Sequence, residues 1–271
     1  MPTPPWRIFD AHLHIIDPRF PLVTNQGYVP EPFTVADYRE RMVQHRCTGG
    51  AVVSGSFQAF DQSYLIDALR RLGPGYVGVT QLPASVADRQ VLALDALGVR
   101  ALRFNLKRGG SAEVEHLECL ARRVHALAGW HVELYADAAA LDPLQHVLRG
   151  LPAVSIDHLG LTRAGLPLLL KLVERGLRVK AAGFGRVDFD VRGALRDLHA
   201  ANPAALMFGT DLPSTRAPRP YDDDDVQLVC DALGEAAAER VFSTNAVQWY
   251  RLASREERYE REVVRIADVD E

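Results

Sequence analysis

Eight times along the chain, a short apolar or β-branched run is followed by a longer stretch whose apolar residues recur at helical spacing. The strand candidates are Arg7–Ala11, Gly50–Ser54, Tyr76–Thr80, Ala101–Asn105, Val132–Tyr135, Val154–Asp157, Val179–Ala181 and Leu206–Gly209. Helices are predicted near 35–45, 61–72, 86–97, 114–128, 139–149, 165–175, 191–201 and 222–233. Eight strand-then-helix units in about 250 residues is the count of a single (β/α)8 TIM barrel. A doubly wound open sheet is the rival. When such a sheet binds nucleotides, its first strand-to-helix turn is glycine-rich, whereas here the turn reads His12-Leu13-His14-Ile15-Ile16-Asp17. The barrel is expected over residues 1–253, followed by a charged, helical-looking C-terminal extension at 254–271 that contains REERYEREVV.

Composition narrows the function classes. A chain of 271 residues with 48% hydrophobic content can fill a barrel core, and a net charge of −4 offers no basic excess for nucleic acid. No apolar run approaches the roughly 18 residues of a membrane span, and the N-terminal MPTPPWRIFD lacks a secretory leader pattern. Cys47, Cys119 and Cys230 are too few and too scattered for a disulfide framework. The expectation is a cytoplasmic monomer or homodimer acting on a small molecule.

The chemistry-bearing residues fall at predicted strand tips. In FDAHLH, at the end of the first strand, His12 and His14 share one face about 7 Å apart, close enough to converge on one ion or one oxygen. His158, in SIDHLG, ends the sixth strand, and Asp211, in MFGTDLP, follows the eighth. The C-terminal strand ends of a barrel share one rim, where barrel enzymes keep their chemistry. Arg103 lies on the fourth strand, Arg108 just beyond it and Arg186 after the seventh, so three guanidinium groups can reach that rim. Such forks bind carboxylates bidentately and point to an anionic substrate, the alternative for each being an internal salt bridge. Two loops are long enough to cover the rim: 15–33, and 212–221 with the sequence LPSTRAPRPY.

These motifs, with GYVP, VRALRFNLKR, GWHVELY, VKAAGFGR and STNAVQWY, resemble the amidohydrolase superfamily (amidohydrolase family 2), in the branch of 2-pyrone-4,6-dicarboxylate hydrolase and related lactonases. The resemblance runs from about Phe9 to Tyr250. It implies a hydrolase that opens a carboxylated lactone, such as a pyrone dicarboxylate or a sugar-acid lactone, with activated water. His12, His14, His158 and Asp211 match the catalytic set. Arg103, Arg108 and Arg186 match substrate-carboxylate ligands, and Tyr28, Ser56 and Tyr135 match supporting polar contacts. In this scheme Asp211 is the general base and the histidines, free or through a metal, stabilise the oxyanion. The branch implies either no metal or one divalent ion, Zn²⁺ foremost, held by His12, His14, His158 and Asp211. A binuclear site is disfavoured because the fourth strand offers Arg103 in place of a bridging group, His131 sits at the wrong end of the fifth, and Lys107 lies beyond its strand.

The sequence departs from the branch at Leu161, where an arginine is expected and Arg163 is a possible substitute, and at Ser56-Phe57-Gln58, where the pattern is Ser-Cys-His. Losing a cation and gaining an aromatic predict a less charged or bulkier substrate. A lactone isomerase or a metal-dependent decarboxylase of an aromatic acid is the alternative on the same rim. A covalent serine mechanism has no GxSxG to support it.

Overall fold

A computed structural model describes residues 6–252, so the predicted extension at 254–271 lies outside the described residues. The strands are β1 (Arg7–Leu13), β2 (Arg46–Val53), β3 (Tyr76–Thr80), β4 (Val99–Asn105), β5 (His131–Tyr135), β6 (Val154–Ile156), β7 (Arg178–Ala181) and β8 (Leu206–Phe208). They form one sheet in chain order, each parallel to the next. Between and after them run α1 (Val35–Arg41), α2 (Ser63–Leu72), α3 (Asp88–Ala96), α4 (Leu117–Ala128), α5 (Gln145–Gly150), α6 (Leu166–Val173), α7 (Val191–Ala201) and α8 (Asp224–Leu233). Two short helices, α9 (Glu235–Glu239) and α10 (Asn245–Trp249), follow α8. The fold is the (β/α)8 barrel that the alternation predicts. Among the described residues, no helix is long and apolar enough to cross a membrane.

Strand alternation divides the core in two. Ile8, Val52, Leu102, Phe104, Leu134 and Val179 join the layer that packs under the helices, while Phe9, Ala11, Ala51, Val53, Val79 and Met207 form a separate cluster inside the barrel. Tyr250, just past α10, belongs to the inner cluster and is fully buried. Pro143 reshapes the helix predicted near 139–149. It has no N–H to donate, and the segment becomes a tight 3₁₀ stretch, Ala138–Leu144, before α5 begins.

A bulge in β1 aims the site. From Asp10 to Leu13 the strand advances three residues while its partner β2 advances two, from Gly50 to Val52. This bulge breaks strict alternation, so that Ala11 faces the inner cluster and the next residue, His12, can also face inward. The seam between β1 and β8 is closed just beyond β8, where Asp211 N–H donates to the His12 carbonyl at 2.7 Å and His14 N–H to that of Leu212 at 2.8 Å.

Asp10 fastens the same seam. Its buried carboxylate accepts from Thr210 N–H (2.8 Å), Thr210 Oγ1 (2.7 Å), His12 N–H (3.2 Å) and the Tyr38 hydroxyl (3.2 Å). Burial pushes its pKa up to about 6 against the pull of these donors. Asp10→Ala strands these donors in a dry interior, so urea unfolding should register a loss of about 2–4 kcal/mol. A loss below about 1 kcal/mol would mean that the seam closes without it.

Candidate active site

Three imidazoles converge on one carboxylate oxygen. Asp211 Oδ1 lies 3.9 Å from His12 Nε2, 3.8 Å from His14 Nε2 and 3.8 Å from His158 Nε2. These separations exceed a hydrogen bond and leave room for one small atom between the donors. His12 Nε2 and Asp211 Oδ1 are buried with no hydrogen-bond partner. The other carboxylate oxygen is engaged, since Arg186 Nε donates to Asp211 Oδ2 at 2.6 Å.

The ring tautomers follow from the carbonyls behind them. His14 Nδ1 lies 2.7 Å from the Val53 carbonyl oxygen and His158 Nδ1 3.3 Å from that of Ala182, so each Nδ1 carries the proton and each Nε2 presents a lone pair. Burial, reinforced by the surrounding cations, keeps all three rings neutral: His14 is pushed down to about 3, and His12 and His158 well below the usual range. Neutral His14 and His158 in this tautomer have no proton on Nε2 to donate to an oxyanion. The cluster is therefore rich in acceptors, and His12, His158 and Asp211 have ligand atoms within 4.8 Å of one another. That donor set suits a single metal ion.

The backbone is bent to bring these side chains in. His158 (φ 52°) and Asp211 (φ 61°) both adopt the left-handed region that residues with a Cβ seldom occupy. Gly183, in the loop after β7, makes room for the first of them. A Cβ there would meet His158 Nδ1 at 2.7 Å.

Beneath the histidines lies a buried charge network. Lys180 of β7 pairs with Glu133 of β5 and stands 3.4 Å from His12 Nδ1 and 3.7 Å from Asp157 Oδ1. Asp157 also accepts from Arg103 Nη2 at 2.9 Å, and Glu133 Oε1 accepts from the Tyr250 hydroxyl at 2.6 Å. His131 Nε2 is 3.0 Å from that same Glu133 oxygen, on the far side from the rim histidines. Burial alone would raise both carboxyls, but Lys180 foremost more than offsets it and holds Glu133 and Asp157 below the usual carboxylate range.

Above the cluster opens a pocket lined by His14, Ser56, Phe57, Arg103, Asn105, Arg108, Tyr135, His158, Arg186 and Arg216, among others. Ser56, Arg103, Arg108, Arg186 and Tyr135 thus gather where the sequence predicts, and Tyr28 flanks the pocket beneath the Arg216 guanidinium. Tyr135 meets His158 edge-on, with ring centroids 5.1 Å apart. Two of the predicted substrate arginines have internal partners. Arg103 binds Asp157 and the Ser54 carbonyl, and Arg186 binds Asp211 and the Thr215 carbonyl. Arg163 is exposed and does not line the pocket. Lys107 is exposed as well.

The sequence reading missed Glu133, Asp157, Lys180 and Arg216. For Glu133 and Lys180 a signal was available, since each is a charged residue flanked on both sides by apolar strand residues, inside the motifs GWHVELY and VKAAGFGR.

The amidohydrolase family profile matches residues 9–252. The chain belongs to the amidohydrolase family. This amidohydrolase is 29% identical over 156 residues to a 2-pyrone-4,6-dicarboxylate hydrolase of Comamonas testosteroni, a match covering 56% of the chain and 51% of the relative, so the chain spans about half of that protein's length. It is 26% identical over 244 residues to a 4-sulfomuconolactone hydrolase of Rhizobium radiobacter, covering 86% of the chain and 73% of the relative. A crystal structure from Pseudomonas putida, named for 2-pyrone-4,6-dicarboxylic acid hydrolase, superposes with a TM-score of 0.78 at 24% identity, over 91% of this chain and 98% of that one. At that identity the likeness concerns the barrel.

Proposed function

We propose that this amidohydrolase opens an anionic lactone, of the pyrone-dicarboxylate or sugar-acid type, by attack of water on the ring ester. The observation that carries the reading is the stacking of an arginine-lined pocket directly over the His12, His14, His158 and Asp211 cluster. The names of the two curated relatives, both lactone hydrolases, support the same reaction class.

In this reading Asp211 is the base. Its Oδ2 is fixed by Arg186, and its Oδ1 faces the space where a water would sit. Burial raises its pKa while Arg186 opposes that rise, which leaves a carboxylate more basic than an exposed one. Asp211 takes the proton as the water oxygen bonds to the ester carbon; the ring C–O bond then breaks, and the proton passes to the departing ring oxygen. Arg186 and Arg103 line the pocket as cations beside the developing negative charge.

The unpartnered His12 Nε2 and Asp211 Oδ1, with the lone pairs of His14 and His158, fit one divalent cation. His12, His158 and Asp211 would hold it, with His14 alongside. Bound there, Zn²⁺ would act as a Lewis acid toward the ester carbonyl. Protein purified without chelator should carry about one equivalent of divalent metal by plasma mass spectrometry, and His158→Ala should lose it. Active wild-type protein free of metal would contradict the assignment.

Turnover is tested by proton release at constant pH. Carboxylated lactones should release acid, and neutral lactones of the same ring should react at least about tenfold less efficiently, the effect of one lost charge-assisted contact. Equal turnover of both would remove the anionic substrate from the proposal, and loss of CO₂ would indicate the decarboxylase instead.

A further inference from the structure

The four pocket arginines are of two kinds. Arg103 and Arg186 are neutralised by Asp157 and Asp211. For Arg108 and Arg216, no carboxylate partner occurs among the described residues, although both line the same pocket. What holds them is neutral. Arg216 Nη2 donates to Asn25 Oδ1 at 3.0 Å and to Ser56 Oγ at 3.3 Å, and its guanidinium lies 4.4 Å from the centre of the Tyr28 ring. Arg108 Nη1 reaches Gln26 Oε1 at 3.4 Å, and Asn25 Nδ2 donates to the Arg108 carbonyl at 3.0 Å.

One tight turn therefore cradles both cations. Asn25 and Tyr28 exchange backbone hydrogen bonds at 3.0 and 3.1 Å around Gln26 (φ 51°) and Gly27 (φ 73°), the paired left-handed residues of a hairpin turn. From the opposite side, the loop after β8 delivers Arg216, itself at φ 57°. Its neighbour Thr215 is fastened through its carbonyl to Arg186. Burial, and next the charge of Arg108, lower the Arg216 pKa, as two cations facing one space without an anion require. An arginine nevertheless remains charged.

We propose that Arg216 is a specificity-determining residue that, with Arg108, grips a second anionic group of the substrate, a carboxylate or sulfonate remote from the scissile ester. The inference rests on the reading of this pocket as a lactone-hydrolysing site and deepens it. It also reverses one expectation from the sequence. Leu161 removes a cation from the rim, and Arg163 does not replace it, but Arg216 enters the pocket from the long loop LPSTRAPRPY. The favoured substrate is then a polyanion and not a less charged molecule.

The test is calorimetric binding of a non-hydrolysable planar polyanion, benzene-1,3,5-tricarboxylate, with benzoate as the monoanion control. Arg216→Met should weaken the tricarboxylate at least about tenfold, while Arg216→Lys should fall between. An unchanged circular dichroism spectrum reports that the variant is folded, and wild-type tricarboxylate binding should exceed that of benzoate and weaken steadily with added salt. Unchanged tricarboxylate affinity in Arg216→Met, or no wild-type affinity for it, would overturn the proposal. If wild type turns over no lactone yet binds the tricarboxylate through Arg216, hydrolysis fails and the anion grip stands. If lactones are turned over with a KM indifferent to Arg216→Met, hydrolysis stands and the grip fails. Running sulfonated and carboxylated lactones in parallel identifies which anion the pair prefers.

Discussion

Asp211→Asn should lower kcat for a carboxylated lactone by at least about 10²-fold while KM stays within a few-fold. Asparagine keeps the shape and can still meet Arg186, but it cannot take a proton. The split between kcat and KM is the informative part, because a variant that had merely lost its pocket would lose binding as well. Metal content measured on the same variant separates loss of the base from loss of a ligand. If the Asn variant kept its metal and a near wild-type kcat, the base would have to be sought elsewhere in the cluster.

The largest stability effect is expected at Lys180. Replacing it with methionine leaves Glu133 and Asp157 buried with much of their compensating charge removed, although neither carboxylate touches solvent. Breaking a buried pair from one side typically costs about 3–5 kcal/mol, and urea unfolding of Lys180→Met should fall in that range. The double variant Lys180→Met, Glu133→Gln should recover part of the loss, since it removes both members of the pair. A Lys180→Met cost near zero would mean that Glu133 takes up a proton with little penalty.

The fold was legible because each strand and helix announced itself locally. Apolar runs alternating with helical periodicity leave few architectures open, and the strand tips then fall on one rim without further information. For that reason His12, His14, His158 and Asp211 could be grouped although His12 and Asp211 are far apart in sequence. Strict alternation put His12 and His14 on one shared face, but it could not register the bulge between Asp10 and Leu13 that turns that face inward beside Ala11, because the bulge depends on how β2 pairs with β1.

What the sequence withheld was pairing. For Arg103 and Arg186 the sequence left substrate binding and an internal salt bridge both open, because their carboxylate partners, Asp157 and Asp211, come from other strands and loops. Arg216 was overlooked for the converse reason. It sits in an irregular loop with no period to place it, and only the turn at Asn25–Tyr28 shows where its guanidinium comes to rest. Lys180 and Glu133 were visible as charges in buried strands, yet which of them would meet is a property of the closed barrel.

Hydrolysis itself is tested most directly by running the wild-type enzyme on a carboxylated lactone in ¹⁸O-labelled water. The account predicts one ¹⁸O in the new carboxyl group and one proton released per turnover, with no CO₂. A product of unchanged mass without label, or release of CO₂, would contradict it.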